Sequence, residues 1–137
     1  MIEVAIPNYK MLQLGHLVLD FNGTLAVDGI MIEGVRERLN NLADHLEIHV
    51  LTADTFGKAA AQLEGVRCGL SILPLEKQDI GKSDYVRKLG CDKTCCMGNG
   101  RNDWIMLKES ALGIAVILEE GAAMETLACA DIVCTSI

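Results

Sequence analysis

Four short segments carry residues able to handle a phosphoryl group. The first is Gly15-His16-Leu17-Val18-Leu19-Asp20-Phe21-Asn22-Gly23-Thr24-Leu25. Its apolar run reads as a buried strand that delivers Asp20 to its carboxyl end, where open α/β sheets bind ligands. A carboxylate placed there can attack phosphorus and become an aspartyl phosphate. The turn Asn22-Gly23-Thr24 lets the chain reverse sharply, because Gly accepts positive φ and Asn tolerates it. Such a turn can present backbone N–H groups to a phosphate. The second segment, Thr52-Ala53-Asp54, ends another predicted strand. Thr52 offers a hydroxyl to a phosphate oxygen, and Asp54 or Thr55 suits the N-cap of a helix starting near Gly57. The third is Gly81-Lys82-Ser83-Asp84-Tyr85-Val86, in which Lys82 is read as opening a helix. A helix turning back to the strand ends would aim that amine at Asp20. The fourth, Gly98-Asn99-Gly100-Arg101-Asn102-Asp103, has two glycines for close backbone approach and a hard oxygen ligand in Asp103. Asp20 and Asp103 together make the small carboxylate set that Mg²⁺ favours. Taken singly, each segment has a plain structural reading: a strand-end turn, a helix cap, a surface lysine, a capped loop.

The elements that must position these residues alternate along the chain. Apolar runs lie at Leu17–Phe21, Ile48–Thr52, Gly69–Leu73, Thr94–Met97, Gly113–Leu118 and Ile132–Thr135. Several are continuous, as in strands covered on both faces. Helical spacing recurs between them, at Val35, Leu39, Leu42 and Leu46, at Tyr85, Val86 and Leu89, after Asp103, and after Gly121. This alternation indicates an α/β fold with a doubly wound, mostly parallel sheet. Residues 1–137 are read as a single domain, with residues 1–14 as an N-terminal β-hairpin around Pro7-Asn8. A final covering helix is expected to be absent after the last strand.

Composition narrows the function. Acidic residues outnumber basic ones by 19 to 12, giving a net charge of −7. That argues against a nucleic-acid-binding face and suits a divalent cation. No run approaches the roughly 20 apolar residues of a membrane span, and no secretory signal is legible at residues 1–4. A cytoplasmic protein with reduced thiols is expected. Cys95 and Cys96, adjacent on a predicted strand, point to opposite faces, so buried thiols are preferred over a metal cluster. His16, His45 and His49 lack ligand spacing, and His16 and His49 are expected to be packed or hydrogen-bonded. Arg101 is read either as a phosphate contact or as a solvent-facing loop residue.

Together the four segments resemble the haloacid dehalogenase (HAD) superfamily, and most of all the phosphorylation domain of P-type ATPases and its soluble phosphatase-like relatives. The P-type sequence Asp-Lys-Thr-Gly-Thr-Leu-Thr is similar to Asp20-Phe21-Asn22-Gly23-Thr24-Leu25-Ala26. Thr-Gly-Asp is matched by Thr52-Ala53-Asp54, the conserved lysine by Lys82, and Gly-Asp-Gly-x-Asn-Asp by Gly98 to Asp103. The resemblance spans about residues 15 to 137, in register. It implies a three-layer HAD-like Rossmannoid sandwich and a Mg²⁺-dependent phosphohydrolase. Asp20 would be the nucleophile, and Asn22, Gly23, Thr52, Ala53 and Lys82 would contact phosphate. Asp20, Asn22 (through its main-chain carbonyl), Asn99 and Asp103 would form the metal site.

Two departures qualify the activity. Most HAD phosphatases carry an aspartate two positions after the nucleophile, as general acid and base. Asn22 stands there, and an amide cannot shuttle that proton. Such help is worth about 10²–10⁴ in rate, so slow turnover or an accumulating phosphoenzyme is expected. Asn99 replaces a metal-supporting aspartate. The family places cap domains after the nucleophile and before the lysine, and both intervals are short, so a capless protein is expected. Its phosphorylated substrate would be a small molecule or a macromolecule, with a homo-oligomer as one way to supply a lid. The competing reading is a catalytically impaired binding or regulatory module. A response-regulator receiver is disfavoured, because its acidic pair should precede the phosphorylated strand.

Overall fold

The central strand of the sheet is the one that ends in Asp20. In the computed structural model, which describes residues 1–137, the strands are β1 Ile2–Ala5, β2 Met11–Leu14, β3 His16–Asp20, β4 Ala26–Val27, β5 Ile30–Met31, β6 Glu47–Thr52, β7 Gly69–Ile72, β8 Thr94–Gly98, β9 Leu112–Val116 and β10 Ile132–Cys134. The helices are α1 Val35–Leu42, α2 Ala59–Gln62, α3 Gln78–Leu89, α4 Trp104–Glu109 and α5 Met124–Cys129. Six strands form one sheet in the order β10-β9-β8-β3-β6-β7. Every neighbouring pair is parallel. The chain therefore builds outward from β3 on one side through β6 and β7. It then crosses back to build β8, β9 and β10 on the other. The order reverses between β3 and β8, which opens a crevice at their carboxyl ends.

Apolar packing on both faces fixes the sheet. Leu17 and Leu19 of β3 join Cys95 of β8, Val35 and Leu39 of α1, and Leu12 and Leu14 of β2. Val18 points the other way, to Cys96, Val86 of α3, and Met106 and Leu107 of α4. The alternation follows from the two-residue period of a strand. It also puts the two adjacent cysteines on opposite faces. Burial pushes the Cys95 thiol up to about 12 and the Cys96 thiol well above its ordinary value, so both stay neutral.

The expected N-terminal hairpin is present as β1 paired antiparallel with β2. The intervals after β3 and after β6 hold no added domain. A small hairpin unread in the sequence, β4 with β5, follows the nucleophile strand. Its turn is Asp28-Gly29, both at positive φ (49° and 80°), and Asp-Gly is the expected pair for such a turn. The expectation for α3 needs correction. The helix begins at Gln78, after Lys77 in the left-handed region, so Lys82 lies in its second turn instead of opening it. The helix runs through Gly81.

Gly113 of β9 meets the backbone of α4. A Cβ there would fall 2.4 Å from the Leu107 carbonyl oxygen, whereas one at Gly15 would meet nothing within 4 Å. Gly113→Ala should cost about 1–3 kcal/mol, as overpacking does, and Gly15→Ala less than about 0.5 kcal/mol. Urea denaturation of the two variants checks this, and equal costs would refute the packing described.

Candidate active site

Asp20 ends β3 at the switch point, and Lys82 comes up beneath it from α3. The Lys82 ammonium donates to Asp20 Oδ1 and to Asp103 Oδ1, each at 2.7 Å. Lys82 and Asp103 have no exposed surface, and Asp20 retains 7%. Asp103 uses its second oxygen as well. Its Oδ2 accepts the N–H groups of Asn99 (3.0 Å) and Gly100 (2.9 Å), which ties the loop after β8 to the ion triad. Gly98 makes room for this, since a Cβ there would lie 2.4 Å from Asp103 Cγ.

The electrostatics follow from two carboxylates sharing one cation. Burial, then the Asp103 charge, raise the Asp20 carboxyl to about 7, against the opposing pull of Lys82. Burial alone would depress the Lys82 ammonium, yet the two carboxylates outweigh it and hold its pKa above the ordinary lysine range.

Above the triad lies a polar cavity of about 200 Å³, lined by Asp20, Asn22, Thr52, Ala53, Thr55, Gln78, Asn99, Gly100, Asn102 and Glu120. The turn after β3 shapes one wall. Phe21 O accepts the N–H groups of Thr24, Leu25 and Ala26, and Gly23 N–H donates to Ala26 O at 2.7 Å. Gly23 thus corrects one expectation, because its amide is spent inside the turn. The amides of Asn22 and Ala53 make no hydrogen bond within the protein. Gly23 is needed for its φ of 82° and for space, since a Cβ would crowd Asn99 Nδ2 and Glu120 Oε2 at 2.4 Å each. Thr24, fully buried, directs its hydroxyl to Asp20 Oδ2 and Asn99 Oδ1, both at 3.4 Å. Asn22 Oδ1 accepts Gly29 N–H at 2.9 Å and so ties the β4–β5 turn to the site.

On the opposite wall, Thr52 Oγ1 accepts Asp54 N–H at 2.9 Å, which leaves the hydroxyl hydrogen unassigned. Asp54 Oδ1 accepts the N–H groups of Lys58 and Ala59, capping α2. Among the residues read from sequence, Asp20, Asn22, Thr52, Ala53 and Asn99 therefore meet in one cavity. Lys82 and Asp103 lie directly behind it. Arg101 does not reach it, and pairs instead with Glu125 at 2.7 Å on the surface. Glu120 was missed: it follows β9 in a Glu-Glu-Gly stretch that carries no motif signal.

No known family profile matches the chain. In three dimensions it is similar to the 3-deoxy-D-manno-octulosonate 8-phosphate phosphatase of Moraxella catarrhalis, solved with magnesium, phosphate and its KDO molecule. The TM-score is 0.66 at 17% identity, covering 89% of this chain and 76% of that one. A phosphoserine phosphatase trapped as a phospho-aspartyl intermediate analogue matches with a TM-score of 0.69 at 15% identity, over 89% of this chain and 93% of that one. The fold is that of the HAD hydrolases, without a cap domain. By sequence, the chain belongs to one family with MJ0072 of Methanocaldococcus jannaschii, an uncharacterized protein 54% identical over 39 residues, which are 28% of this chain and 89% of that protein. MJ0073 of the same organism, also uncharacterized, is 49% identical over 41 residues, 30% of this chain and 44% of that protein. No helix is long and apolar enough to cross a membrane.

The raised Asp20 value has a defined effect on stability. A carboxyl whose pKa rises on folding from 3.8 to about 7 contributes its full stability below about 3.8 and loses it as pH rises to 7. Asp20→Asn keeps the shape and removes the charge. In EDTA-treated protein the variant should melt several degrees above wild type at pH 8, and the gap should close below about pH 4. A gap that widened on acidification would reverse the sign argued here.

Proposed function

We propose that the chain is a HAD-type phosphohydrolase acting on phosphomonoesters through Asp20, with residues 1–137 forming one catalytic domain. The observation that carries this reading is the Asp20–Lys82–Asp103 triad beneath a cavity whose donors are free to meet a phosphate. An Asp20 oxygen attacks phosphorus, and the bond from phosphorus to the leaving oxygen breaks with its electron pair. Water then attacks the aspartyl phosphate and releases phosphate. Lys82 holds the carboxylate in place and offsets the charge gathered there. The Thr52 hydroxyl and the amides of Asn22 and Ala53 are donors for the non-bridging oxygens, and such preorganised donors are a large part of phosphoryl-transfer catalysis.

The donor set also fits Mg²⁺, a hard cation that takes oxygen ligands and keeps several waters. The Asp20 carboxylate, the Asn22 main-chain carbonyl and Asn99 Oδ1 would hold it, with Glu120 restoring the negative charge that Asn99 lacks. Asp103 has no exposed surface and lies behind the cavity wall, so in this reading it acts on the cation through Lys82 and the Asn99 loop. A bound Mg²⁺ would neutralise charge on the phosphate. The magnesium and phosphate found with the Moraxella enzyme support the assignment by analogy of fold. The likeness of Asp20–Ala26 and Thr52–Asp54 to the P-type sequences favours the phosphorylation-domain branch, and a cytoplasmic setting with reduced thiols belongs to the same proposal. A capless site open to solvent suits a macromolecular phosphoester, or a small one covered by a second copy of the chain.

The leaving oxygen needs a proton, and Asn22 cannot supply it. Its side-chain oxygen also accepts Gly29 N–H, which favours, as a second reading, a module that binds phosphate without turning it over. Wild-type protein with Mg²⁺ should hydrolyse an alkyl phosphomonoester such as glycerol 2-phosphate slowly, and Asp20→Asn should abolish this. Asn22→Asp should raise turnover by about 10²–10⁴. Equal rates for wild type and Asp20→Asn would remove the enzyme reading, and beryllofluoride binding alongside that result would establish the binding module. Glu120→Gln should raise the Mg²⁺ concentration needed for half-maximal activity, and an unchanged requirement would strike Glu120 from the cation site.

A further inference from the structure

At the amino ends of β3 and β6, far from Asp20 along the same strands, three side chains converge on one face of the sheet. Parallel pairing sets His16 opposite Glu47 and Val18 opposite His49. Residues two apart on a strand share a face, so His16, Glu47 and His49 all point toward α3. Their spacing in sequence carries no ligand signature, because the register between two strands brings them together.

The distances discriminate between geometries. His16 Nδ1 lies 3.3 Å from His49 Nε2 and 3.4 Å from Glu47 Oε2, and His49 Nε2 lies 3.9 Å from Glu47 Oε2. Zinc takes nitrogen at about 2.0–2.1 Å and oxygen at about 2.0–2.2 Å, nearly always in a tetrahedron. Such a tetrahedron has edges of about 3.3–3.5 Å, whereas an octahedron at about 2.0–2.1 Å has edges of about 2.9 Å. Two of the three separations are tetrahedral edges. The third closes by about 0.5 Å of carboxylate movement, and Glu47, 74% exposed, is free to move. Both imidazoles are held in place, with only 19% and 12% of their side chains exposed.

The second shell is present too. His49 Nδ1 is 3.0 Å from the Tyr85 hydroxyl of α3. A metal-binding histidine characteristically donates its other ring N–H to such a partner, which fixes the tautomer and turns the free lone pair to the metal.

We infer that His16, Glu47 and His49 form a second cation site, for a zinc-class divalent ion with an open fourth position for water. Its place at the opposite end of the strands separates it from the proposed Mg²⁺ position. Tyr85 stands one helical turn from Lys82, so an ion bound here would brace the helix that supplies the buried ammonium.

The test uses the whole chain, stripped with EDTA and titrated with Co²⁺. Wild type and Asp20→Asn should each bind one Co²⁺ with the intense visible band of a four-coordinate site. Zn²⁺ should displace it. His49→Gln should abolish the band. Glu47→Gln, an exposed change that leaves the fold intact, should weaken binding about tenfold or more, and Tyr85→Phe about 10–100-fold. Absence of the four-coordinate band from Asp20→Asn (any pale six-coordinate Co²⁺ being assigned to the Asp20 cavity), a band that survives Glu47→Gln at full affinity, or near-ultraviolet charge transfer from a thiolate would each overturn the assignment.

Discussion

A lysine ammonium held between two carboxylates, with almost no water around it, sets the terms for the rest of the molecule. Moving an ion from water to the interior costs several kcal/mol even after relaxation. Three ions are moved here, and their charges do not cancel when Asp20 is ionised. The arrangement holds because each remaining lone pair has somewhere to go. Asp103 accepts two amides of its own loop, and Asp20 faces the polar cavity. Contacts of 2.7 Å on both sides of Lys82 require β3, α3 and the loop after β8 to converge on one point. The crossover from α3 into β8 delivers that convergence, and Gly98 allows it at close range.

The same point joins the chemistry to the β4–β5 hairpin. Asn22 contributes its main chain to the cavity wall and its side chain to the β4–β5 turn. The hairpin is thereby indexed to the nucleophile through one side chain. Thr24 plays a similar part between Asp20 and Asn99, linking the first and fourth segments through a single buried hydroxyl.

Much of this was legible in the chain. Several of the six sheet strands are continuous apolar runs, and each of the six appears within a few residues of its expected place. Thr52, Asp20 and the glycine loop were recognisable because strand ends in such sheets carry the chemistry. Other features depend on information that local pattern does not hold. Lys82 was singled out by the family resemblance; by local pattern alone it looks like an ordinary surface residue on a weakly amphipathic helix, and tertiary packing turns it inward. Two-residue strands such as β4 and β5 are too short for periodicity, although the Asp28-Gly29 pair was an available signal. Glu120 enters the cavity from a loop with no motif. His16, Glu47 and His49 meet across a strand register, which sequence spacing cannot express.

Both asparagines that depart from the HAD pattern precede glycine, the pairing most prone to deamidation. Succinimide closure requires the glycine nitrogen to turn on the asparagine side chain. In this fold the Gly23 amide is bound to Ala26 O and the Gly100 amide to Asp103 Oδ2. The Asn22 and Asn99 side chains are themselves anchored, to Gly29 and to the Gly121 carbonyl. The folded state thus withholds the attacking nitrogen at both positions. Ageing of the intact molecule is accordingly slow to convert either amide into the aspartate of the HAD pattern, and the chain keeps the side chains its gene encodes for as long as it stays folded.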